Sequence, residues 1–439
     1  MTDAGRLLAD LYRVATEAVN PGPALTTSLG RLSPFPSRPP WILALGKAAT
    51  PMAAAAVDVL AGQGLGPAGG LIVAPHADPS AHPRLEVVAG DHPEPGQGSL
   101  AAAAALARSA DRIGADDEVW VLLSGGTTSL IGAPETGISA SDLAMLYALL
   151  LGSGLDITAM NRIRKRFSRW GGGKLALALA PARVRTFVVS DVIGDDPASI
   201  GSGPCVADPC TATEVRRMLE DASLWDRIPA AARDLVTAAE AGRRAETPKP
   251  GDDAFARVSL ELIASNRLAV EAAARHAAAL GLVPVVNNGP LAGEAAAAGE
   301  RLATRLLQNC GPSTFPQPEE APRRKCFIQG GETTVTLGDE PHGLGGRCQE
   351  LALAAARVLE GNSIGVALLA AGTDGRDGPT DAAGAIVDGH TWRAIRAAGR
   401  DPAHDLAAHD AYRALDAADA LLRPGLTGTN VMDVVIGVC

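Results

Sequence analysis

Short apolar runs that stop at a glycine, a hydroxyl or an acid, and then give way to an Ala-rich segment, recur along the chain. Runs of about four to eight apolar residues bounded by such residues are typical of buried strands, and the segments after them have helical length. The pattern therefore predicts an α/β fold in which the stops cluster beyond the carboxyl ends of strands, where such folds bind ligands. The stops lie at Gly46, Ser124, Ser190, Ser265, Gly330 and Gly372.

The stretch over residues 329–356 carries the strongest local signal. Residues 333–337 (TTVTL) have the composition of a strand. Three glycines, Gly343, Gly345 and Gly346, come next, and Arg347 follows them at the start of a predicted Ala- and Leu-rich helix. Free amides and the helix dipole both point outward at a helix N-terminus. We therefore expect this stretch to form a seat for a phosphate or a carboxylate.

The length of the chain predicts two domains. With 439 residues and 47% hydrophobic content the chain can bury a large core, and one domain for every ~150 residues gives two or three. We expect an N-terminal domain over residues 1–248 and a C-terminal domain over residues 249–439, joined at the connector ETPKPGDD. The strand predicted over 258–264 is assigned to the second domain, because the strands after the connector need the later ones to complete a sheet.

Charge and patterning exclude several classes of protein. A formal net charge of −10 and a pI near 5.4 argue against a nucleic-acid partner, which requires a positive surface. Neither a signal peptide nor an 18-residue uncharged apolar run is visible, so we expect a cytoplasmic protein without membrane contact.

Cysteines form no C-x-x-C pair of the kind that binds zinc. The motif GLGPAG at 64–69 follows a helix instead of opening one, so it predicts a loop and not a dinucleotide site.

Several strand ends offer groups that bind anions or cations. Lys47 lies in the turn after the run WILAL, Ser124–Thr128 follow EVWVLL, and Asp191 follows TFVV. Glycine and hydroxyl groups at such a position can surround phosphate oxygens, and a carboxylate there can hold Mg²⁺ or accept a proton. Each group also has a plain structural interpretation: a glycine-rich turn that caps a helix, a solvated lysine, or an aspartate that caps a loop. His92 is interpreted as a loop residue that forms hydrogen bonds, because no H-x-x-x-H spacing supports a metal site.

Several separate motifs, in order along the chain, resemble the glycerate 2-kinase family, whose C-terminal part is called the MOFRL domain and whose members are often labelled hydroxypyruvate reductases. The resemblance runs from about Gly46 to the C-terminus. It departs from the family pattern at Cys348, where the family has an asparagine, at the threonines of SGGTTS, and at Trp170. The motifs are LLSGGTTSL, SDVIGDDPASIGSGP, GGETTVTL with GLGGRCQELALAAA, AAGTDGRDGPTDAAGA and TGTNVMDV.

The resemblance implies two α/β/α domains, with an N-terminal Rossmann-like parallel sheet, a C-terminal MOFRL-type α/β domain and a cleft between them. It implies D-glycerate, ATP and Mg²⁺ or another divalent cation as ligands, and it leaves a homodimer open. Lys47, Asp191 and Arg347 are the catalytic residues that it implies. The metal ligands that we expect from the sequence are Asp191, at a strand end, and Asp377, in a loop with three aspartates. The substrate- and ATP-binding residues expected from it are Ser124, Gly125, Gly126, Thr127, Asn266, Gly330, Gly331, Glu332, Thr333 and Asp374.

In the reaction that the family implies, the 2-hydroxyl of D-glycerate attacks the γ-phosphate of ATP and gives 2-phosphoglycerate. Arg347 would hold the substrate carboxylate, Lys47 would neutralise the transferred group, and Asp191 would orient or deprotonate the hydroxyl. The alternative for Arg347 is a helix pair with Glu350. A nicotinamide-dependent hydroxypyruvate reductase and a non-catalytic sugar-acid binding protein are the rival functions.

Overall fold

The computed structural model describes residues 2–78, 80, 82–309, 324–338, 341–362 and 365–439. The chain forms two compact units, which we call unit A (residues 21–263) and unit B (residues 1–20 and 264–439). No helix of the described residues is long and apolar enough to cross a membrane.

Helices and strands alternate along most of the chain. The helices are α1 (Asp3–Ala18), α2 (Pro21–Gly30), α3 (Ala49–Gly62), α4 (Gln97–Ala110), α5 (Thr127–Leu130), α6 (Ala140–Leu151), α7 (Ile157–Phe167), α8 (Lys174–Leu179), α9 (Ala212–Asp221), α10 (Ala230–Glu240), α11 (Asn266–Ala279), α12 (Ala295–Asn309), α13 (Arg347–Leu359), α14 (Thr391–Ala397), α15 (Pro402–Ala407) and α16 (Ala411–Ala417). The strands are β1 (Trp41–Leu45), β2 (Gly69–Ala74), β3 (Leu85–Ala89), β4 (Glu118–Leu123), β5 (Arg183–Val189), β6 (Val258–Ala264), β7 (Val283–Val286), β8 (Lys325–Gly331), β9 (Ala367–Gly372), β10 (Gly384–Asp388), β11 (Leu421–Leu422) and β12 (Asp433–Val438).

The sheet of unit A has the strand order β3-β2-β1-β4-β5-β6. The pairs from β3 through β5 are parallel, and this order is that of a doubly wound Rossmann sheet. All residues of β1 are buried, as expected for a strand covered on both faces. Leu43, Leu71 and Val121 pack with α4 and α8, whereas α3 contacts β1, β2 and β4. The Rossmann-like parallel sheet expected from the sequence is confirmed, and GLGPAG lies in the loop between α3 and β2, as predicted.

The sheet of unit B has the order β11-β10-β9-β12-β8-β7. The sheet is mixed. The pair β7–β8 is parallel, and the other four pairs that join β8 to β11 across the sheet are antiparallel. Leu368, Ala370 and Val435 alternate with residues of the other face and pack in one core with α12 and α13. The helices α1 and α11 contact each other and β12. The first helix of the chain therefore belongs to the same compact unit as its C-terminus.

The division between the units differs from the expected boundary at 248/249. It falls after Ile263, since β6 joins the first sheet beside β5 and does not contribute to the second. Residues 1–20 also belong to unit B. The division into functional domains itself stays a prediction.

The TTVTL segment is not a strand, although its side chains favour one. The strand β8 ends at Gly331, and Thr334 forms only an isolated bridge with Glu294. The Thr336 hydroxyl and amide donate instead to the Glu294 carboxylate, at 2.6 and 3.3 Å. Side-chain hydrogen bonds of this kind compete with the ladder of a sheet.

Candidate functional site

In unit A, the turn after β1 is fastened to the turn after β4. The Lys47 amide donates to the Gly125 carbonyl at 2.9 Å, and the Ala48 amide donates to the Ser124 hydroxyl at 3.0 Å. Gly46 has a φ of +120°, and a Cβ there would lie 2.3 Å from Ser124 Oγ. Glycine is therefore required where the turns meet, and Lys47 is held with its exposed side chain beside the Gly125–Gly126 loop.

The Gly125–Gly126 loop approaches Asp191 more closely than any side chain would permit. A Cβ on Gly125 would lie 1.8 Å from Asp191 Oδ2, and a Cβ on Gly126 would lie 3.3 Å from Lys47 Cε. The Gly125 and Gly126 amides donate to no acceptor among the described residues. Thr127 is buried and its hydroxyl donates to the Leu45 and Ser124 carbonyls. Thr127 therefore braces the loop, and the two glycine amides stay available to a ligand.

His92 completes this cluster, although the sequence indicated only a loop residue. A Cβ on Gly126 would lie 3.0 Å from His92 Cδ2, so the ring and the Lys47 side chain flank the same glycine. The signal that could have found His92 is its position three residues beyond β3, because β3 ends at the same edge of the sheet as β1 and β4.

The protonation of the cluster is set by burial and by its own charges. Burial and the Lys47 charge lower the pKa of His92, and the Asp191 charge opposes them only in part. Burial raises the pKa of Asp191, against the opposing effects of Lys47, a backbone amide and His92. A neutral imidazole and a carboxylate of raised basicity next to a lysine are groups that can accept a proton near neutral pH.

In unit B, the N-terminus of α13 is already occupied by a carboxylate of the protein. Asp377 accepts hydrogen bonds from the Cys348 and Gln349 amides at 3.2 and 2.8 Å, and a Cβ on Gly346 would lie 2.3 Å from its Cγ. The anion expected at this helix end is therefore the Asp377 side chain. Burial raises its pKa to about 7, against the effect of the Gln349 amide.

Arg347 forms ion pairs with two carboxylates of unit B. Its Nε and Nη2 donate to the two oxygens of Asp433, and its Nη1 forms an ion pair with Glu332 at 2.8 Å. Burial opposes the charge of Arg347, but the Asp433 hydrogen bond and the Asp433 charge outweigh burial and raise its pKa. The alternative pair with Glu350 does not form, because Glu350 accepts from His409 at 2.8 Å.

Two further residues of unit B were missed in the sequence. Asp433 is 1% exposed, and its carboxylate holds Arg347. Tyr12 of α1 donates its hydroxyl to the Gly372 carbonyl at 2.7 Å, and its pKa is raised by burial and by the charges of Asp374 and its neighbours. The position of Asp433 within TGTNVMDV, at the start of the final strand, was the available signal, whereas nothing in the sequence connects residue 12 to residue 372.

Some of the other predicted binding residues of unit B bind to the protein itself, whereas the Thr333 hydroxyl is free to bind a ligand. The Asn266 amide donates to the Val431 and Asp433 carbonyls, both at 2.8 Å, so it fastens α11 to the start of β12. Gly330 lies against Asn266, and Gly331 against the Leu291 backbone. Thr333 is buried, and its hydroxyl has no hydrogen-bond partner within the described part of the chain.

Asp374 and Cys348 lie near the Arg347–Asp433 pair. Asp374 is half-buried, and its Oδ1 accepts from the Arg376 amide at 3.0 Å. Its charge contributes to the raised pKa of Asp433, for which burial is the main cause. Cys348 is 2% exposed. Burial and the Asp433 charge raise the pKa of its thiol, so Cys348 is a neutral residue beneath Arg347.

The described residues contain few groupings of side chains that bind metal ions. Across the described ranges, no group of three or more His, Cys, Asp and Glu side chains is arranged to hold an ion. Asp191 and Asp377 belong to units A and B respectively. Mg²⁺ sites commonly use only one or two carboxylates together with substrate phosphates. The Asp191 carboxylate, which is half-buried beside the free glycine amides, fits that chemistry.

Comparisons with known proteins match nearly the whole chain. Two family models match: a domain of unknown function (DUF4147) over residues 7–237 and the MOFRL family over residues 325–433. A glycerate 2-kinase of Pyrococcus horikoshii is 37% identical, over 91% of this chain and 87% of the relative. The chain belongs to the glycerate 2-kinase family.

Other proteins of similar sequence have different names. A putative hydroxypyruvate reductase of Agrobacterium vitis is 38% identical, over 90% of this chain and 97% of the relative. The crystal structure of a glycerate kinase from Thermotoga maritima has a TM-score of 0.87 and 33% identity, and covers 99% of both chains. The family and the α/β fold expected from the motifs are confirmed. The cleft between the two units and the individual site residues stay predictions.

Proposed function

We propose that this protein is a kinase that transfers the γ-phosphate of ATP to the 2-hydroxyl of D-glycerate and releases 2-phosphoglycerate. The observation that carries the proposal is the cluster of unit A, in which Lys47, two free glycine amides and Asp191 meet at the carboxyl edge of a parallel sheet. Phosphoryl transfer depends mainly on positioning and on charge neutralisation, and this cluster supplies both. The names of the relatives support the choice of substrate.

Each group has a defined part in the reaction. The Gly125 and Gly126 amides and Lys47 would bind the oxygens of the transferred phosphoryl group and stabilise the charge that it develops. Asp191, with His92 beside it, would accept the proton of the attacking hydroxyl. Arg347 would bind the substrate carboxylate with the N–H groups that Asp433 and Glu332 leave, and the Thr333 hydroxyl is a further donor in unit B.

Asp191 would also be the residue that holds a divalent cation with the nucleotide. When bound, Mg²⁺ supplies charge neutralisation at the phosphates. Asp377 is a weaker candidate for this role than the sequence indicated, because both of its oxygens already accept backbone amides. A cytoplasmic location stays a prediction of the sequence, which leaves a homodimer open.

The test is to incubate the protein with D-glycerate, ATP and Mg²⁺ and to separate 2-phosphoglycerate from 3-phosphoglycerate. Only the 2-phosphate is expected. Formation of the 3-phosphate alone would contradict the regiochemistry, and oxidation of NADH with hydroxypyruvate in the absence of kinase activity would favour the reductase. Lys47→Ala is expected to lower kcat about a hundredfold or more, because loss of one electrostatic donor has that magnitude. Lys325→Ala, at another exposed lysine, is the control.

A further inference from the structure

A cavity of about 460 Å³ lies in unit A beside α5, the helix that follows the glycine loop. Its lining begins at Pro93, the residue after His92, and at Thr128, two residues beyond Gly126. The remaining wall comes from α4, α6 and α7 and from the loops that precede α4 and follow α5. The size is that of pockets that bind small molecules. A ligand whose phosphates reached the Gly125 and Gly126 amides would therefore have this cavity next to it.

The wall of the cavity is apolar except for a small number of polar groups. Leu100 and Leu143 contribute aliphatic surface. The Arg164 guanidinium lies 4.9 Å from the centre of the Tyr147 ring. Arg164 Nε is buried without a hydrogen-bond partner in the described part of the chain, and Tyr147 is half-buried. An apolar slot with an aromatic ring and a guanidinium is complementary to a flat heterocycle that carries nitrogen acceptors.

We propose that this cavity binds the nucleoside part of the phosphoryl donor, with the base between the aliphatic wall and the Tyr147–Arg164 pair. The inference rests on the proposed kinase function, and it assigns the nucleoside of ATP to unit A. A bound base would accept hydrogen bonds from the terminal N–H groups of the Arg164 guanidinium, which has five N–H donors in all.

Exposed small residues of the lining permit a test that spares the fold. Ala144 and Ala148 of α6 are exposed and line the cavity, so Ala144→Trp or Ala148→Trp would fill it. Met145→Trp is the control, because Met145 is 50% exposed on the same helix and is not part of the lining. Steady-state kinetics would give KM for ATP, KM for D-glycerate, and inhibition constants for ADP and for inorganic tripolyphosphate.

The expected result is that Ala148→Trp raises KM for ATP and the inhibition constant of ADP about tenfold or more. The inhibition constant of tripolyphosphate, which has no nucleoside, should stay within twofold, as should KM for D-glycerate. An unchanged inhibition constant of ADP in both tryptophan variants would overturn the inference even if the wild-type protein makes 2-phosphoglycerate.

A wild-type protein without kinase activity would contradict the proposed function and leave the cavity to be tested by calorimetric titration with ADP. ADP binding that is lost in Ala148→Trp and kept in Met145→Trp supports the cavity. Equal ADP binding in both variants, or no ADP binding to the wild type, overturns it.

Discussion

Arg347 donates two parallel hydrogen bonds to Asp433, from Nε to Oδ2 at 2.6 Å and from Nη2 to Oδ1 at 2.9 Å. Glu332 pairs with Nη1. Since a guanidinium has five N–H groups, this arrangement leaves two for a ligand and fixes the plane in which they point. Asp433 is thus a positioning residue for Arg347.

We expect Arg347→Lys to raise KM for D-glycerate about tenfold to a hundredfold, because an ammonium cannot reproduce the paired hydrogen bonds to Asp433 and a carboxylate together. KM for ATP should change little. Arg357→Lys is the control, because Arg357 lies on the same helix as Arg347 and pairs with a different carboxylate, that of Glu300. An unchanged KM for D-glycerate in Arg347→Lys would remove Arg347 from the substrate site.

Gly125→Ala tests the contact with Asp191 by steric means alone. The added methyl group would meet Asp191 Oδ2 at 1.8 Å, so the carboxylate must move away from the loop. We expect kcat to fall at least tenfold, with a small loss of stability. Gly62→Ala is the matched control, because a Cβ there meets nothing within 4 Å. Equal activity of the two variants would mean that the position of Asp191 is unimportant for catalysis.

The sequence predicted the fold and the unit A cluster better than the unit B site, for a physical reason. Parallel strands bring their carboxyl ends to one edge, so Lys47, Gly125 and Asp191 could be grouped from strand order alone. In unit B the decisive contacts are pairings of charge between distant segments. The Asp377 carboxylate at α13 and the Asp433 carboxylate at Arg347 depend on strand register that no local pattern encodes.

The run of basic residues over 161–174 illustrates the same limit. A basic run of this kind is usually a solvated helix face, yet Arg166 is 2% exposed and pairs with Glu246. Lys174 donates to Glu135 at 2.7 Å and to backbone carbonyls. Both acidic partners lie far away in the sequence, so charge content alone could not distinguish an internal network from a surface.

The proximity of His92 to Lys47 and Asp191 can be measured by NMR titration of its ring. Because burial and the Lys47 charge lower the pKa of His92, Lys47→Met should raise that pKa. The Asp191 charge acts in the other direction, so Asp191→Asn should lower it. His92→Gln assigns the resonance, and the control Lys325→Met should leave it unmoved. Shifts of the same sign in the two variants would contradict the arrangement.

The buried carboxyl of Asp377 should make stability depend on pH. Its pKa is about 7 in the folded protein against 3.8 for an ordinary aspartate, mainly because of burial. Between those values the folded state holds a proton that the unfolded state has lost, so the free energy of unfolding falls as pH rises, by ~1.4 kcal/mol per pH unit at most. Above about pH 7 both states are ionised and the loss levels off.

Asp377→Asn removes this titration at the cost of about 1 kcal/mol for a weakened helix cap. Urea denaturation between pH 5 and pH 8, in buffer without divalent cations, would give the difference in unfolding free energy between wild type and variant. As pH rises to about 7, the wild type should lose unfolding free energy relative to the variant. Above that pH the difference should stay constant. Asp401→Asn, at the exposed cap of α15, is the control for loss of an aspartate cap. A pH-independent difference for Asp377→Asn would show that this carboxylate is ionised throughout the range.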